Sequence, residues 1–387
     1  MNILIAPDKF KGSLTALAAA RAIADGIRRC LPTANLRELP LADGGEGTAA
    51  ILTQATGGTL LTGRVNDALM RPISATYGVS GDGKTAFIEM AEASGLQRLH
   101  PSDYDPMRAS TFGTGELIRQ ALERGVSAIV LCIGGSATND GGTGMASALG
   151  VRFFDQQNQA MRPNGGNLVH IRRVDPSGLL PTVSTTTFRV ACDVDNPLYG
   201  PLGAAYVYAA QKGATPDQLI HLDAGLRQLA TVTDGLSHMV AHEPGSGAAG
   251  GLGFGARVFL KATLTPGFAL VADYLHLRER IAESDLVITG EGRLDEQTLS
   301  GKVIRGLTQL AEPLQVPVVA FCGTLALTAT QSRQLGVHFA QSILTGPMDL
   351  STAMQQAPEL LTEASQRLAQ FISRMPLSSG QKTDSSR

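Results

Sequence analysis

The stretch AIVLCIGGSATNDGGTGMASALG, residues 128–150, runs from an apolar segment through a glycine-rich bend into small, helix-prone residues. That order is a βα unit: a strand buried over residues 128–133, a loop of unhindered backbone amides, and a helix from Thr143. Outward from it, the arrangement recurs. Residues 2–6 read as a short buried strand, after which Leu14, Leu17, Ala18, Ile23, Ile27 and Leu31 fall at helical spacing behind Ser13, a good N-cap residue. Strand 36–41 precedes helix 47–55, strand 286–289 precedes a helix from Gly301, and residues 316–322 and 339–344 add two more strands. Strands alternating with helices predict an α/β chain with a mostly parallel sheet, whose ligands sit at the carboxyl ends of the strands.

Between residues 58 and 99 the texture changes to short β-rich runs, 60–65, 73–79 and 85–90, joined by turn residues and expected as antiparallel hairpins. A second β-rich or irregular stretch covers residues 151–208. The middle of the chain therefore reads as a domain inserted into one built from both chain ends. The expected division is 1–66 with 283–375, an insert at 67–282, and a disordered polar tail at 376–387.

At 387 residues and 43% hydrophobic content the chain can bury one large core or two ordinary ones, and since single cores stop growing at roughly 250–300 residues, two domains are expected. The 32 basic and 34 acidic residues are scattered and leave a net charge of −2, which argues against nucleic acid and membrane surfaces as partners and for small molecules. No apolar run approaches the ~20 residues needed to span a bilayer, and the N-terminal apolar run is too short for a signal peptide. The expectation is a soluble, cytoplasmic protein. Cys30, Cys132, Cys192 and Cys322 lie far apart without a Cys-x-x-Cys pair, so reduced thiols are expected and a zinc site is not. The histidines form no Ser-His-acid arrangement and read as structural or surface residues.

Two glycine motifs tempt a nucleotide reading. Gly78-Val-Ser-Gly-Asp-Gly-Lys84-Thr85 matches the phosphate-loop pattern, but the residues before it alternate like a half-exposed strand, Asp82-Gly83 is hairpin chemistry, and β-prone residues follow. Gly245-Ser-Gly247-Ala-Ala-Gly250 fits the dinucleotide fingerprint but follows polar residues 242–244, so it is expected as a flexible or substrate-covering loop.

Better candidates lie at the strand ends. After the first strand, Asp8, Lys9 and Lys11 stand just ahead of a helix start, where phosphate is attracted. The second strand leads to Asp43-Gly44-Gly45-Glu46, glycines that admit a ligand beside carboxylates suited to Mg²⁺ or to hydroxyls of a sugar acid. In the opening stretch, Gly134, Gly135, Ser136, Thr138, Asn139, Asp140 and Gly141 are expected to hold phosphate. Asp193 and Asp195 end another apolar run, and Glu291, Arg293 and Asp295 another, with Lys302 beyond. Phosphoryl transfer uses this mixture: a carboxylate to orient a hydroxyl, carboxylates for Mg²⁺, and cations for the phosphoryl oxygens.

Taken in order, IAPDKFKGSL, PLADGGEGT, CIGGSATNDGGTGMASALG, ACDVDNPLYGP, GSGAAGGLGFG and DLVITGEGRLDEQTLSGK resemble the bacterial glycerate kinase family, over about residues 1–370. The resemblance implies a flavodoxin-like domain, an inserted α+β domain of restriction-enzyme-like type, and an active site in the cleft between them. It also implies an ATP- and Mg²⁺-dependent kinase of glyoxylate and sugar-acid catabolism that phosphorylates D-glycerate at the 2-hydroxyl. A 3-kinase is the alternative within the class, and a non-catalytic sensor of small acids the alternative outside it. In this reading Lys11, Lys302 and loop 134–144 neutralise phosphates, while Asp43, Glu46 and Glu291 or Asp295 recruit Mg²⁺. Arg293 meets the glycerate carboxylate or the transferring phosphoryl group, and Asp193, with Asp295 next, orients the acceptor hydroxyl. The family commonly has Ser at position 9, which sets Lys9 below Lys11. The oligomeric state is left open, a homo-oligomer being compatible.

Overall fold

The computed structural model describes residues 1–233, 239–299 and 303–374. Lys302 and the tail 376–387, both assigned above, lie outside the described residues. By its internal contacts the chain falls into two compact units, Met1–Leu41 with Leu277–Arg387, and Ala42–His276.

The chain opens with β1 (Asn2–Ile5) and β2 (Asn35–Glu38), parallel to each other, with helix Ala16–Arg28 between them in sequence. In the second unit follow β3 (Thr59–Asn66), β4 (Pro72–Val79), β5 (Thr85–Glu89), β6 (Ala128–Cys132), β7 (Arg152–Phe154), β8 (Ala160–Met161), β9 (Arg173–Asp175), β10 (Thr187–Ala191) and β11 (Thr263–Thr265). The first unit resumes with β12 (Leu286–Leu294), β13 (Val318–Leu325) and β14 (Phe339–Ser342).

In the first unit the sheet order is β2-β1-β12-β13-β14, all parallel. Counted within the unit this is 2-1-3-4-5, the flavodoxin-type order, whose switch point lies between β1 and β12. Ile3, Leu4 and Ile5 are all buried, as a strand covered on both faces requires. Helix Ala16–Arg28 buries Ala19, Ala20, Ile23, Ala24 and Ile27 and packs against helix Ala357–Ile372. A Cβ on Gly26 would lie 2.2 Å from the Thr362 carbonyl oxygen, so glycine sets how closely these helices approach.

In the second unit a six-stranded sheet has the order β11-β10-β6-β5-β4-β3. The expected hairpins are present in β3–β4 and β4–β5, but β5 then pairs parallel with β6, which is parallel to β10, as β10 is to β11. Ala86, Phe87 and Ile88 are buried without alternation, which is why β5 turns from hairpin arm into central strand. Because β3 pairs with β4 from Thr59↔Val79 to Asn66↔Pro72, residues 42–66 group with this unit. The irregular stretch 151–208 holds the small antiparallel sheet β8-β7-β9 and several 3-10 turns.

The phosphate-loop pattern is a hairpin. Asp82 Oδ1 accepts from Lys84 N–H (3.0 Å) and Ser80 Oγ (2.6 Å), and Ser80 N–H donates to the Thr85 carbonyl at 2.9 Å, closing β4 onto β5. No helix follows, and Lys84 is exposed. Among the described residues no helix is long and apolar enough to cross a membrane. The four cysteines are unpaired.

Candidate active site

In the second unit the parallel strands end level with one another: Glu89 aligns with Cys132, Cys132 with Ala191, and Ala191 with Thr265. Several of the sequence-assigned loops meet at this carboxyl edge. A Cβ on Gly44 would lie 2.8 Å from the Ala191 side chain and 2.9 Å from Gly267 Cα, and one on Gly134 would lie 3.4 Å from Gly45 Cα. Gly44, at φ +87°, is therefore held to glycine by backbone conformation and by closeness together. Asp193 Oδ1 accepts from Gly267 N–H at 2.8 Å, and Asp43 Oδ1 from Gly45 N–H at 3.0 Å. Asp43 and Asp193 are half-buried, while Glu46, Gly134 and Gly135 are exposed.

Behind this edge stands Glu89, a residue the sequence reading passed over. It ends the buried run of β5, is 6% exposed, and accepts from Ala49 N–H at 2.8 Å. Burial holds its carboxyl above the usual carboxylate range, against the opposing pull of the Ala49 and Gly47 amides. Helix Thr48–Ala55 has Gly47 as N-cap and so no capping side chain of its own; Glu89 supplies the anion at that end. An acid directly after the apolar run Ala86-Phe87-Ile88 is the signal that could have found it, the same one that singled out Asp43 and Asp193.

Loop 134–144 differs from expectation in its second half. Asp140 is completely buried, and its carboxylate accepts from Thr111 N–H (2.7 Å), Thr111 Oγ1 (2.9 Å), Gly142 N–H (3.2 Å) and Gly144 N–H (3.2 Å). The helix that follows is only Thr143–Ala148, and the amides at its start already hold this internal carboxylate. Asp140 thus organises the loop and is not placed to bind phosphate. Thr138 and Asn139 are likewise at 0% exposure, and Gly141 packs against Leu229. Among the described residues the buried side-chain atoms without a hydrogen-bond partner are Thr138 Oγ1 and both amide atoms of Asn139. Each such atom costs about 1–3 kcal/mol, so the loop is not arranged for stability alone. Ser136 is 6% exposed, and its hydroxyl accepts from Lys212 Nζ at 2.7 Å. What remains open to a ligand is the start of the loop, Gly134 and Gly135, where Gly135 takes φ +77°.

Gly245 to Gly250 is no covering loop. Gly245, Ser246, Gly247 and Gly250 are buried, Ala249, Gly250 and Gly251 are left-handed, and Gly250 accepts from Gly141 N–H at 2.9 Å. It interlocks with loop 134–144 because a Cβ on Gly250 would meet the Thr138 carbonyl at 2.0 Å.

In the first unit the switch point between β1 and β12 carries Asp8, Lys9, Lys11, Glu291, Arg293 and Asp295. Asp8 N–H donates to the Gly290 carbonyl at 2.9 Å, and a Cβ on Gly292 would lie 3.3 Å from Lys11 N, so the two segments run side by side. Here too the local structure corrects the sequence. Reciprocal bonds between Phe10 and Leu14, both buried, make a tight turn, and the helix starts at Ala16 with Thr15 as cap. Ser13 instead donates its hydroxyl to the Met354 carbonyl at 2.9 Å. Lys11 is exposed on that turn and Lys9 half-buried. Glu291 and Arg293 belong to β12 itself, because pairing with β13 continues to Leu294↔Leu325. Arg293 Nε contacts Asp295 Oδ2 at 2.8 Å, and Thr298 Oγ1 donates to Glu291 Oε1 at 2.8 Å.

A parallel-sheet protein with glycine loops, carboxylates and cations at its strand ends has the equipment of a phosphoryl-transfer class. The sequence profile described as the glycerate kinase family matches residues 3–373, and this chain belongs to that family. The glycerate kinase of Halalkalibacterium halodurans is 46% identical over 369 residues, covering 95% of this chain and 97% of that one. The glycerate 2-kinase of Escherichia coli K12 is 42% identical over 370 residues, covering 95% and 97%. A solved structure assigned as glycerate kinase 2 from Salmonella typhimurium LT2 has a TM-score of 0.86 at 42% identity, covering 96% and 98%.

Proposed function

We propose that this chain transfers the γ-phosphoryl group of ATP to the 2-hydroxyl of D-glycerate, giving 2-phospho-D-glycerate and ADP, as a cytoplasmic enzyme of sugar-acid catabolism. The observation that carries this is the convergence, at one carboxyl edge, of Asp43, Gly44, Gly134, Gly135 and Asp193 from remote parts of a chain of this family. Asp193 has one oxygen tied to the Gly267 amide, which holds the carboxylate in one orientation for a hydroxyl proton. The amides of Gly134 and Gly135 receive phosphate oxygens. Lys11 and Arg293 supply positive charge for the phosphoryl oxygens or the glycerate carboxylate, with Lys9 beside them and Asp295 positioning Arg293.

Among the described residues no group of three His, Cys, Asp or Glu side chains is close enough to cage a metal. Mg²⁺ binds through one or two carboxylates and completes its shell with water and substrate phosphate. Asp43 and Glu46, on one loop, are the donors assigned here, with Glu291 the acid assigned on the first unit. When bound, the ion neutralises phosphate charge. The names flavodoxin-like and restriction-enzyme-like for the two units remain part of this proposal.

The test is phosphorus NMR of the product together with coupled detection of ADP. Glycerate-dependent ADP release with a 2-phosphoglycerate resonance is the expected result. A 3-phosphoglycerate resonance reassigns the acceptor oxygen, and binding of glycerate without ADP release makes the chain a sensor.

A further inference from the structure

Lys212 has no place in the roles assigned above, and a buried ammonium is costly unless its protons are taken up. It closes the 3-10 turn Ala210–Lys212 and is 2% exposed. Its Nζ donates to Ser136 Oγ and to the Thr138 carbonyl, each at 2.7 Å, across 76 and 74 residues of sequence. Both acceptors belong to the loop whose opening residues receive phosphate in the proposed function. The second half of that loop is held by Asp140 and Gly250, whereas its first half, with Gly135 left-handed and Thr138 Oγ1 lacking a partner, leans on other segments. Backbone bonds from Leu96 N–H to the Gly135 carbonyl (3.0 Å) and from Ala137 N–H to the Ser94 carbonyl (2.9 Å) fix one side of it. Lys212 fixes the other.

We propose that Lys212 is the positioning residue of this loop. Its ammonium group, pinned between Ser136 and Thr138, sets Gly134 and Gly135 in the form that receives an anionic phosphate and places a positive charge behind them. Ser136 Oγ accepts from the ammonium beneath the exposed Gly134 and Gly135. Charge behind a dry loop acts at low dielectric, which a neutral residue of the same size cannot reproduce. This rests on the anion-holding reading of Gly134 and Gly135.

The clamp also titrates near neutral pH. Burial lowers the Lys212 ammonium to about 7, with Asp140 opposing. Asp140 is the charged group that acts on it, and the ammonium is otherwise bonded to Ser136 Oγ and the Thr138 carbonyl. The clamp is therefore closed below about pH 7 and loosens above it.

Hydrogen exchange of amides 134–138, corrected for intrinsic rate, tests the clamp in the wild-type protein without any assay of turnover. Protection should fall as pH rises through about 7, and should stay level in Lys212→Arg, whose charge persists. Lys212→Met should raise KM for ATP about 10- to 100-fold, with kcat changing far less, and Lys212→Arg should restore part of the loss. If Lys212→Met does not fold, the wild-type exchange series and Lys212→Arg decide. A wild-type enzyme that makes no phosphoglycerate overturns the proposed function alone, and exchange still judges the clamp. Protection independent of pH in the wild type, or an unchanged KM for ATP in a folded Lys212→Met, overturns the clamp.

Discussion

Asp193 and Glu89 are two carboxylates at the ends of β10 and β5, the strands on either side of β6, and their surroundings separate them. Asp193 is half-buried at the edge; Glu89 lies beneath, bonded to the amide of Ala49. Asp193→Asn keeps an oxygen that can accept from Gly267 N–H, so a purely structural role would survive the change. We expect kcat to fall by about 100-fold or more, since general acid–base groups contribute that much, with little change in KM for ATP. Steady-state kinetics check this, and near wild-type turnover would give the role to Asp295. Glu89 bears on stability. Its carboxyl is raised in the folded protein, so its contribution is fully present below the ordinary carboxylate range and is lost as pH rises through the folded value. Glu89→Gln removes that titration. Between pH 4 and 8 the melting temperature of the variant should improve relative to wild type as pH rises; a difference that stays level or reverses would contradict the assignment.

At the scale of elements, the recurring device is a helix start filled by the protein's own carboxylate. Glu89 does this for Thr48–Ala55 and Asp140 for Thr143–Ala148, and so neither start is left for a substrate anion. The strand–loop–helix pattern was legible in residues 128–150, but which anion occupies the helix start depends on groups brought there by folding. Asp140 could be read locally; Glu89 arrives from a strand 40 residues away. The pair of helices Ala16–Arg28 and Ala357–Ile372 makes a sharper prediction. Alanine for glycine in a helix gains about 1 kcal/mol in propensity, yet at Gly26 the new methyl would sit 2.2 Å from a backbone oxygen. Overpacking against backbone costs about 1–3 kcal/mol, so Gly26→Ala should melt several degrees lower by calorimetry. An unchanged or higher melting temperature would mean that the helices can part freely.

For the molecule as a whole, the second unit is continuous in sequence and has its own sheet and its own apolar core, centred on Ile88, Ile129, Leu131, Val190, Leu117 and Leu252. A fragment spanning Ala42–His276 should therefore unfold cooperatively on its own, as followed by circular dichroism. Lacking Lys11 and Arg293, it should not phosphorylate glycerate. A fragment that is unfolded or melts without cooperativity would show that this core depends on the first unit. The first unit is assembled from both chain ends, and β1 needs β12 beside it, so no corresponding single fragment exists.

The amino-acid order alone established the α/β class, the hairpin nature of residues 78–85, the family likeness and the strand-end acids, because each is written in local periodicity or in motifs of adjacent residues. Folding decided the rest. Only tertiary packing could show that Arg293 stands on a strand, that Glu89 caps a helix from another strand, and that Lys212 reaches Ser136. Burial and long-range hydrogen bonding are properties of residues far apart in the chain, and no window of sequence contains both partners.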